Sequence, residues 1–401
     1  MMDAMTATTL DLLASSEAGD VLAAALGTAG LELGDWRIDA VHARPGAETS
    51  VGYAASTGAG ELYLVASDAR LTESERAACG AVRLEAGDAV IHVWRHPADP
   101  ALPGLATAST PATLAEAFGR AGHGDVAVAE LQMLVLRPLR RAVLRAQVEA
   151  AGERSTWFVK VVRPSRADAL LERHAMCALA PAAYDLGHGV VAVAQARGVP
   201  MTHALHRPRG DAPAALDPDL VLKAIDSLPS EAAALRARPS VPDRLHHYAA
   251  TAVAQGLDRA RVDAAVGAIT SVLERDLAPE VGVTHGDLHP ANVFVDDGTA
   301  PTAVTALIDI DTLGPGRRAD DLATMLAHLL VLPTFDAAGY PTAASAAEDH
   351  FAAFAARCDA DDLRARTAAN LIALAAGAAD ASFRGEWLGL AEGVLDRRLL
   401  A

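Results

Sequence analysis

The spacing of apolar residues divides the chain into a mixed first half and a mainly helical second half. Residues 5–32 carry leucine, valine and alanine at helical intervals, which predicts a helix. Between about 35 and 95, apolar and polar positions alternate in four short segments separated by turn residues, which predicts strands. Residues 97–111 contain four prolines, so this segment is predicted to be a linker or a domain boundary.

Alternation returns after the proline-rich segment. A short helix is followed by three predicted strands, of which the last reads TWFVKVV, and then by a helix and a hairpin that ends near residue 201. From about 202 to the end the pattern is helical, with one strand-rich interruption at 282–310. Strands gathered in one half and helices in the other indicate an α+β protein.

A weak internal repeat connects two of the strand-rich regions. The stretch that begins at Arg44 and the stretch that begins at Arg137 both contain an Arg-Pro turn, a strand, a glycine-containing turn and a second strand. Only the later copy contains a lysine, Lys160. The repeat predicts a non-catalytic cap domain built like the sheet that follows it; chance similarity between hairpins is the alternative.

Length and charge narrow the functional classes. A chain of 401 residues is long enough for two or three domains, and a net charge of −17 disfavours binding to nucleic acid. The three cysteines form no CxxC pair, so neither a zinc knuckle nor a disulfide framework is expected. No apolar stretch reaches the roughly 18 residues of a membrane span, and the start has no basic segment, so a cytoplasmic protein without a membrane partner is expected.

The most informative segment is 283–311, VTHGDLHPANVFVDDGTAPTAVTALIDID. Two short apolar strands flank a DDG turn, which predicts a hairpin that returns the chain to its starting point. Polar residues precede the first strand and follow the second, so they are expected to lie close together. Two carboxylates and an amide in this arrangement fit phosphoryl transfer, in which one aspartate accepts a hydroxyl proton while oxygen ligands hold Mg²⁺.

The run HGDLHPANVFVDDG, then ALIDIDTLGPG and RADDLATML, resembles the aminoglycoside phosphotransferase and choline kinase-like group, small-molecule relatives of the protein kinases. The resemblance implies a bilobal protein kinase-like α+β fold. It makes Asp287 the catalytic base and Asn292 and Asp309 the Mg²⁺ ligands. It also implies that His285 and Asp321 support the catalytic loop. The protein kinase glycine after the metal-binding aspartate is replaced here by Ile310, a variation common in the small-molecule branch.

The same resemblance extends to the preceding strands. Lys160, one of only two lysines in the chain, stands where the family binds the nucleotide phosphates. Its partner on the next helix is expected to be Glu172, although the family register falls on His174 instead. No glycine-rich loop covers the phosphates, and the turn RPLRR offers nucleotide-binding Arg140 and Arg141 in its place.

The hairpin near residue 194 resembles the family's hinge, with adenine bound by backbone groups from Ala194 to Ala196. Such contacts leave ATP and GTP equally possible as the donor. The predicted domains are a cap over 1–104, a nucleotide-clamping lobe over 105–197 and a helical lobe over 198–401. The cap is similar to the arrangement in maltokinase and glucosamine kinase.

The expected partner is a small molecule that offers a hydroxyl group. Acceptor-binding residues in this family come from the C-terminal helices, which here contain Asp362, Glu386 and Trp387. A wall of carboxylates suits an aminoglycoside or an amino sugar, and a neutral sugar stays possible. Two other functions compete with the kinase: a binding or regulatory protein with a kinase-like fold but weak activity, and a metallohydrolase that uses the HGDLH histidines.

Overall fold

The computed structural model describes residues 9–43, 48–86, 89–206, 216–275 and 281–401. The chain forms two compact units. The first comprises Met1–Leu171 with Ala183–Gln195, and the second comprises Glu172–Ala182 with Ala196–Ala401. Helices and antiparallel sheets are both present, which confirms the predicted α+β class.

The first unit contains two five-stranded antiparallel sheets. The first sheet has the order β1-β2-β3-β5-β4, and helix α1 packs on it through a core that includes Leu22, Tyr53 and Ile91. Its elements are α1 (Ala18–Gly27), β1 (Leu33–His42), β2 (Ser50–Thr57), β3 (Gly60–Ser67), α2 (Glu73–Cys79), β4 (Val82–Ala86) and β5 (Ala89–Arg95).

The second sheet repeats this topology, with the order β6-β7-β8-β10-β9 and a helix between its third and fourth strands. The sequence repeat is therefore a repeat of topology, although its first residues, Arg44–Gly46, lie outside the described residues. The elements are α3 (Leu105–Ala108), α4 (Pro111–Phe118), β6 (Val126–Arg137), β7 (Arg141–Ala150), β8 (Glu153–Val162), α5 (Pro164–Met176), β9 (Ala183–Gly187) and β10 (Val190–Ala194).

The proline-rich segment 97–111 is not an open linker. Leu102, Leu105 and Ala108 are fully buried in the core under the second sheet. The predicted domain boundaries after 104 and 197 stay predictions; the second falls two residues from the boundary between the compact units.

The second unit is mainly helical. Two small sheets, β11-β13-β14 and β12-β15, lie among helices whose apolar faces form one large core. Aspartates at 217, 258, 359 and 380 cap the starts of four helices by accepting backbone N–H bonds. The elements are β11 (Val199–Pro200), α6 (Met201–Leu205), α7 (Pro218–Asp226), α8 (Leu245–Ala254), α9 (Arg259–Leu273), β12 (Val281–Thr284), β13 (Val293–Val295), β14 (Val304–Leu307), β15 (Gly314–Arg317), α10 (Arg318–Phe335), α11 (Ala343–Ala355), α12 (Ala360–Gly377) and α13 (Ala381–Leu395).

Among the described residues, no helix is both long enough and apolar enough to cross a lipid bilayer.

Candidate active site

The predicted hairpin at 293–307 is present and brings the polar residues at its two ends together. Strands β13 and β14 pair antiparallel, with Val293 opposite Leu307. One residue further out, the Ile308 N–H donates to the Asn292 carbonyl at 3.0 Å. The loop before β13 and the turn after β14 therefore lie at the same end of this hairpin.

His285 connects these two segments. Its Nε2 lies 2.9 Å from the Ile308 carbonyl, so Nε2 carries the proton, and its Nδ1 accepts the Asp287 backbone N–H at 3.3 Å. Thr312 also donates its hydroxyl to the His285 carbonyl at 2.8 Å. Full burial lowers the pKa of His285 although Asp287 and Asp309 both act to raise it. Both aspartates thus lie within electrostatic range of one neutral imidazole.

Asp321, in the first turn of α10, braces the loop from the other side. Its two carboxylate oxygens accept the backbone N–H groups of His285 at 2.7 Å and of Gly286 at 2.8 Å. Burial raises its pKa to about 7, while these two N–H groups act to lower it. These bonds fix the backbone of the loop at residues 285 and 286.

Backbone conformation also fits the loop to its surroundings. Gly286 has a φ of 82°, and a Cβ atom there would lie 2.9 Å from the Thr312 side chain. Asp309 adopts the left-handed conformation with a φ of 58°, which is uncommon for a residue with a side chain. Such a conformation at a non-glycine residue indicates that the turn is held by its neighbours.

The side-chain oxygen atoms near the loop are of the type that binds a hard cation. The Asn292 amide nitrogen donates to the Asp287 carbonyl at 3.0 Å, which leaves the amide oxygen as the atom for another partner. With the Asp309 carboxylate it forms an oxygen donor pair at one end of the hairpin, and oxygen is the ligand that Mg²⁺ prefers. The residues present therefore fit the predicted magnesium ion.

Residues 172–182 support the same turn. Arg173 is buried and donates its Nε–H to the Leu313 carbonyl at 3.0 Å, just after the turn that begins at Asp309. The Leu307 N–H donates to the Leu179 carbonyl at 2.9 Å. Sequence reasoning missed Arg173, because its partner lies 140 residues away and leaves no local signal.

A second missed feature is a stacked histidine pair beside the loop. The rings of His289 and His328 lie 4.5 Å apart with an interplanar angle of 18°. Burial lowers the pKa of His328 to about 4, and His289 acts in the same direction. A signal existed, because His328 follows Asp321 by two turns of one helix and so shares its face.

Lys160 lies in the middle of β8, paired with Val143 on one side and Val191 on the other. Its neighbours Val159 and Val161 point into the core under α4, so Lys160 points to the opposite face of the sheet. Val191, on that same face, packs against Ala167 of α5. The side chain therefore belongs to the face that α5 covers, and its role in binding phosphate stays a prediction.

The expected partner Glu172 is not supported. It is exposed on α5, two residues after Leu170, which packs toward the sheet. Two residues turn a helix by about 200°, so Glu172 lies on the side away from that sheet. His174, which the family register favoured, is buried with its Nδ1 2.8 Å from the Pro181 carbonyl.

The turn that carries Arg140 and Arg141 packs against the first sheet, and nucleotide binding by these two arginines stays a prediction. Leu139 is buried against Val65 and Trp94 of the first sheet, and its N–H donates to Asp99 at 2.9 Å. Arg140 forms an ion pair with Glu48 at 2.9 Å. Arg141 begins β7, paired with Arg137 and Val162. The turn is thus fixed to the first sheet, and Arg140 is engaged there with a carboxylate.

The predicted adenine-binding segment follows the end of β10. Ala194 pairs with Trp157, and the Gln195 N–H donates to the Thr156 carbonyl at 3.1 Å. Ala196 is the first residue of the second unit on this side. The hinge position expected for Ala194–Ala196 is therefore where the chain passes between the units.

Two of the three predicted acceptor-binding residues are structural. Asp362 is buried and pairs with Arg366 at 2.7 Å, and Trp387 is buried with its Nε1–H donating to Thr334 at 2.9 Å. Glu386 is exposed. Charge pairing engages Asp362 and helix packing engages Trp387, and the acceptor-binding role of the three residues stays a prediction.

The metallohydrolase alternative finds no support in the described part of the chain. No group of three histidine, cysteine, aspartate or glutamate side chains is arranged there to hold a metal ion. Both ring nitrogens of His285 are already used by backbone groups, so this histidine cannot serve as a ligand without losing those contacts.

Comparison with known proteins decides the family. A family model described as the phosphotransferase enzyme family matches residues 135–366, which is more than half of the chain. The chain belongs to this family. It is therefore a phosphotransferase, as its sequence predicts. Among curated proteins, none matches the chain.

Several solved structures resemble this phosphotransferase at low identity. A thermostable mutant of aminoglycoside phosphotransferase APH(4)-Ia has 17% identity and a TM-score of 0.49, with 72% of this chain and 99% of that chain covered. A GDP complex of aminoglycoside 2'-phosphotransferase-IIIa has 14% identity and a TM-score of 0.46, with coverage of 73% and 100%. A choline/ethanolamine kinase family protein from Mesorhizobium loti has 15% identity and a TM-score of 0.47, with coverage of 72% and 92%.

Proposed function

We propose that this protein transfers the γ-phosphoryl group of ATP or GTP to a hydroxyl group of a small molecule, with Mg²⁺ as the cofactor. The observation that carries the proposal is the braced catalytic loop. Asp321 accepts the two backbone N–H groups just before Asp287, His285 accepts the Asp287 N–H, and Asn292 donates to the Asp287 carbonyl. A loop held at this many points presents one carboxylate in a fixed position, which phosphoryl transfer needs.

Asp287 is the catalytic base in this proposal. Its carboxylate orients the acceptor hydroxyl and takes its proton as the new bond to phosphorus forms. His285 stays neutral because its burial outweighs the two nearby aspartates. Its Nδ1 therefore remains an acceptor for the Asp287 N–H and holds the base in place.

Asn292 and Asp309 would hold the magnesium ion. When bound, the ion offsets the charge on the β- and γ-phosphates. The left-handed turn at Asp309, anchored by Arg173 at Leu313, sets the direction of that carboxylate. Lys160 would bind the nucleotide phosphates, because a lysine ammonium offers three rotatable N–H donors to phosphate oxygens.

The acceptor is a hydroxyl-bearing small molecule of the aminoglycoside, amino sugar or sugar class. Asp362 forms an ion pair with Arg366, so its negative charge is compensated and does not by itself favour a cationic acceptor. Neutral sugars therefore stand beside amino compounds as candidates.

An ADP- and GDP-coupled assay with aminoglycosides, amino sugars, neutral sugars and choline tests the proposal. We expect Mg²⁺-dependent turnover with at least one acceptor, and the phosphorylated product identified by mass spectrometry. Tight Mg-nucleotide binding without transfer to any acceptor would instead identify a kinase-like binding protein.

The assignment of Asp309 gives a separate prediction. We expect Asp309→Ala to weaken Mg-nucleotide binding at least tenfold in a calorimetric titration, because one of two protein ligands to the ion is lost. Asp297→Ala, on the exposed turn of the same hairpin, is the matched control and should bind like the wild type. Equal affinity in wild type and Asp309→Ala would remove Asp309 from the metal site.

A further inference from the structure

The stacked histidines lie where helix α10 runs beside the catalytic loop. Asp321, in the first turn of α10, accepts the two backbone N–H groups just before Asp287. Two turns further, about 10 Å along the same helix, the His328 ring stacks on His289 of the loop at 4.5 Å. Helix and loop are therefore in contact both before and after Asp287, which is itself exposed. The charge of Asp287 also acts on the His328 ring, so the two side chains lie within electrostatic range.

One nitrogen of His328 is fixed by the helix. Its Nδ1 lies 2.9 Å from the Thr324 carbonyl, which can only accept, so Nδ1 carries the proton. Burial lowers the pKa of this histidine to about 4, so the ring is neutral at neutral pH. Nε2 of His328 therefore presents a lone pair that accepts a hydrogen bond.

Nε2 is the open end of this ring. Within the ranges that the structure describes, no protein group donates to it, and the side chain of His328 is partly exposed. The stack on His289 fixes the plane of the ring and the bond to Thr324 fixes its tautomer, so the direction of the lone pair is fixed as well. Small-molecule sites place a few such polar groups to orient the ligand, and this one lies near an exposed carboxylate.

We propose that His328 is an acceptor-binding residue: its Nε2 accepts a hydrogen bond from a second hydroxyl or ammonium group of the molecule whose first hydroxyl is oriented by Asp287. This role rests on the proposed phosphoryl transfer and narrows the acceptor to molecules with at least two donor groups. Sugars, amino sugars and aminoglycosides meet this condition. Choline does not, because its quaternary nitrogen carries no hydrogen.

Calorimetric titration with glucose, glucosamine, kanamycin and choline, in the presence of Mg²⁺ with AMP-PNP or GMP-PNP, tests the site. We expect saturable binding of at least one of the first three probes to the wild type, and at least about fivefold weaker binding to His328→Phe, because one hydrogen bond is lost. His328→Gln keeps an acceptor oxygen and should bind within about threefold of the wild type. His246→Phe, at an exposed position of α8, is the matched control and should bind like the wild type.

Absence of binding by all three donor-bearing probes, or equal affinity of the wild type and His328→Phe, would overturn the proposal. Choline binding that falls equally in His328→Phe would also contradict it, because choline has no second donor. Since the titration needs no turnover, binding that depends on His328 supports this site even where no phosphoryl transfer is found.

Two further measurements separate a direct contact from a structural role. An analogue of the bound probe that lacks the recognised donor group should bind the wild type more weakly, yet bind His328→Phe as well as the parent probe does, because the same contact is lost only once. In nitrogen NMR spectra of the wild type, the Nε2 resonance of His328 should shift upfield when the probe saturates the site. Additive losses of affinity, or an unmoved resonance, would contradict the contact.

Discussion

Two buried aspartates in the second unit lie in the first turn of their helices but have different hydrogen-bond partners. Asp321 lies in the first turn of α10 and Asp362 in the first turn of α12, and their relative exposures are 1% and 6%. Asp321 accepts two backbone N–H groups of the catalytic loop, whereas Asp362 pairs with the Arg366 guanidinium. The first therefore fixes a loop that must hold one conformation, and the second fixes one turn of a helix.

The difference shows that a carboxylate's partner, rather than its burial or its place in a helix, determines its role. A carboxylate bound to backbone N–H groups controls the conformation of those residues. One bound to a guanidinium chiefly neutralises a charge that would be costly to bury alone. Activity should therefore be sensitive at Asp321, and stability at Asp362.

The largest effect is expected at Asp321. Asp321→Ala leaves the backbone N–H groups of His285 and Gly286 without an acceptor. The backbone just before Asp287 then loses the contacts that hold it in one conformation. We expect kcat/KM to fall at least 100-fold in steady-state assays, a loss that misplacing reacting groups by about 1 Å can cause. Activity above a tenth of the wild type would show that the brace is dispensable.

A smaller effect, on stability alone, is expected at Asp362. Asp362→Ala removes one of two acids from Arg366, which keeps Asp320. We expect the free energy of unfolding to fall by about 1.5–3 kcal/mol, the usual contribution of a hydrogen bond to a charged group. Urea unfolding followed by circular dichroism measures this loss, and kcat/KM per folded molecule should stay within threefold of the wild type. A large loss of kcat/KM would return Asp362 to the acceptor site.

The smallest effect is a dependence of stability on pH. Burial raises the pKa of Asp321 to about 7, so the folded state holds this proton over a pH range where the unfolded state has lost it. Stability from this group is fully present below the unfolded pKa of about 4 and is lost progressively as the pH rises to about 7, above which little more is lost. Between pH 6 and 8 the loss is about 1.4 kcal/mol for a folded pKa of about 7.

Asp321→Asn cannot titrate, so the comparison isolates this contribution. In Mg²⁺-free buffer, the stability of the wild type relative to Asp321→Asn should decline from pH 6 to pH 8. A constant difference across that range would contradict a raised pKa at Asp321.

The sequence pattern predicted those features that depend on contacts between residues close together in the chain. The hairpin at 293–307 and the motif from His285 to Asn292 depend on neighbours a few residues away, so their spacing was informative. The position of Asp321, 36 residues from the backbone that it holds, came from family resemblance alone.

Several site expectations concern residues whose partners are distant in sequence. Arg140 was expected at the nucleotide, but it pairs with Glu48, which lies 92 residues earlier and just before β2. Trp387 donates to Thr334 across 53 residues. For Glu172, in contrast, helical phase relative to Leu170 was readable from the sequence and would have corrected the assignment.

The most direct test of the proposed chemistry is transfer by Asp287→Ala at saturating Mg-nucleotide, with the acceptor that the wild type uses. We expect the rate to fall by at least three orders of magnitude, while calorimetry shows nucleotide affinity within threefold of the wild type. Phosphorylation at a near-normal rate by this variant would contradict the assignment of the base, and with it the role of the braced loop.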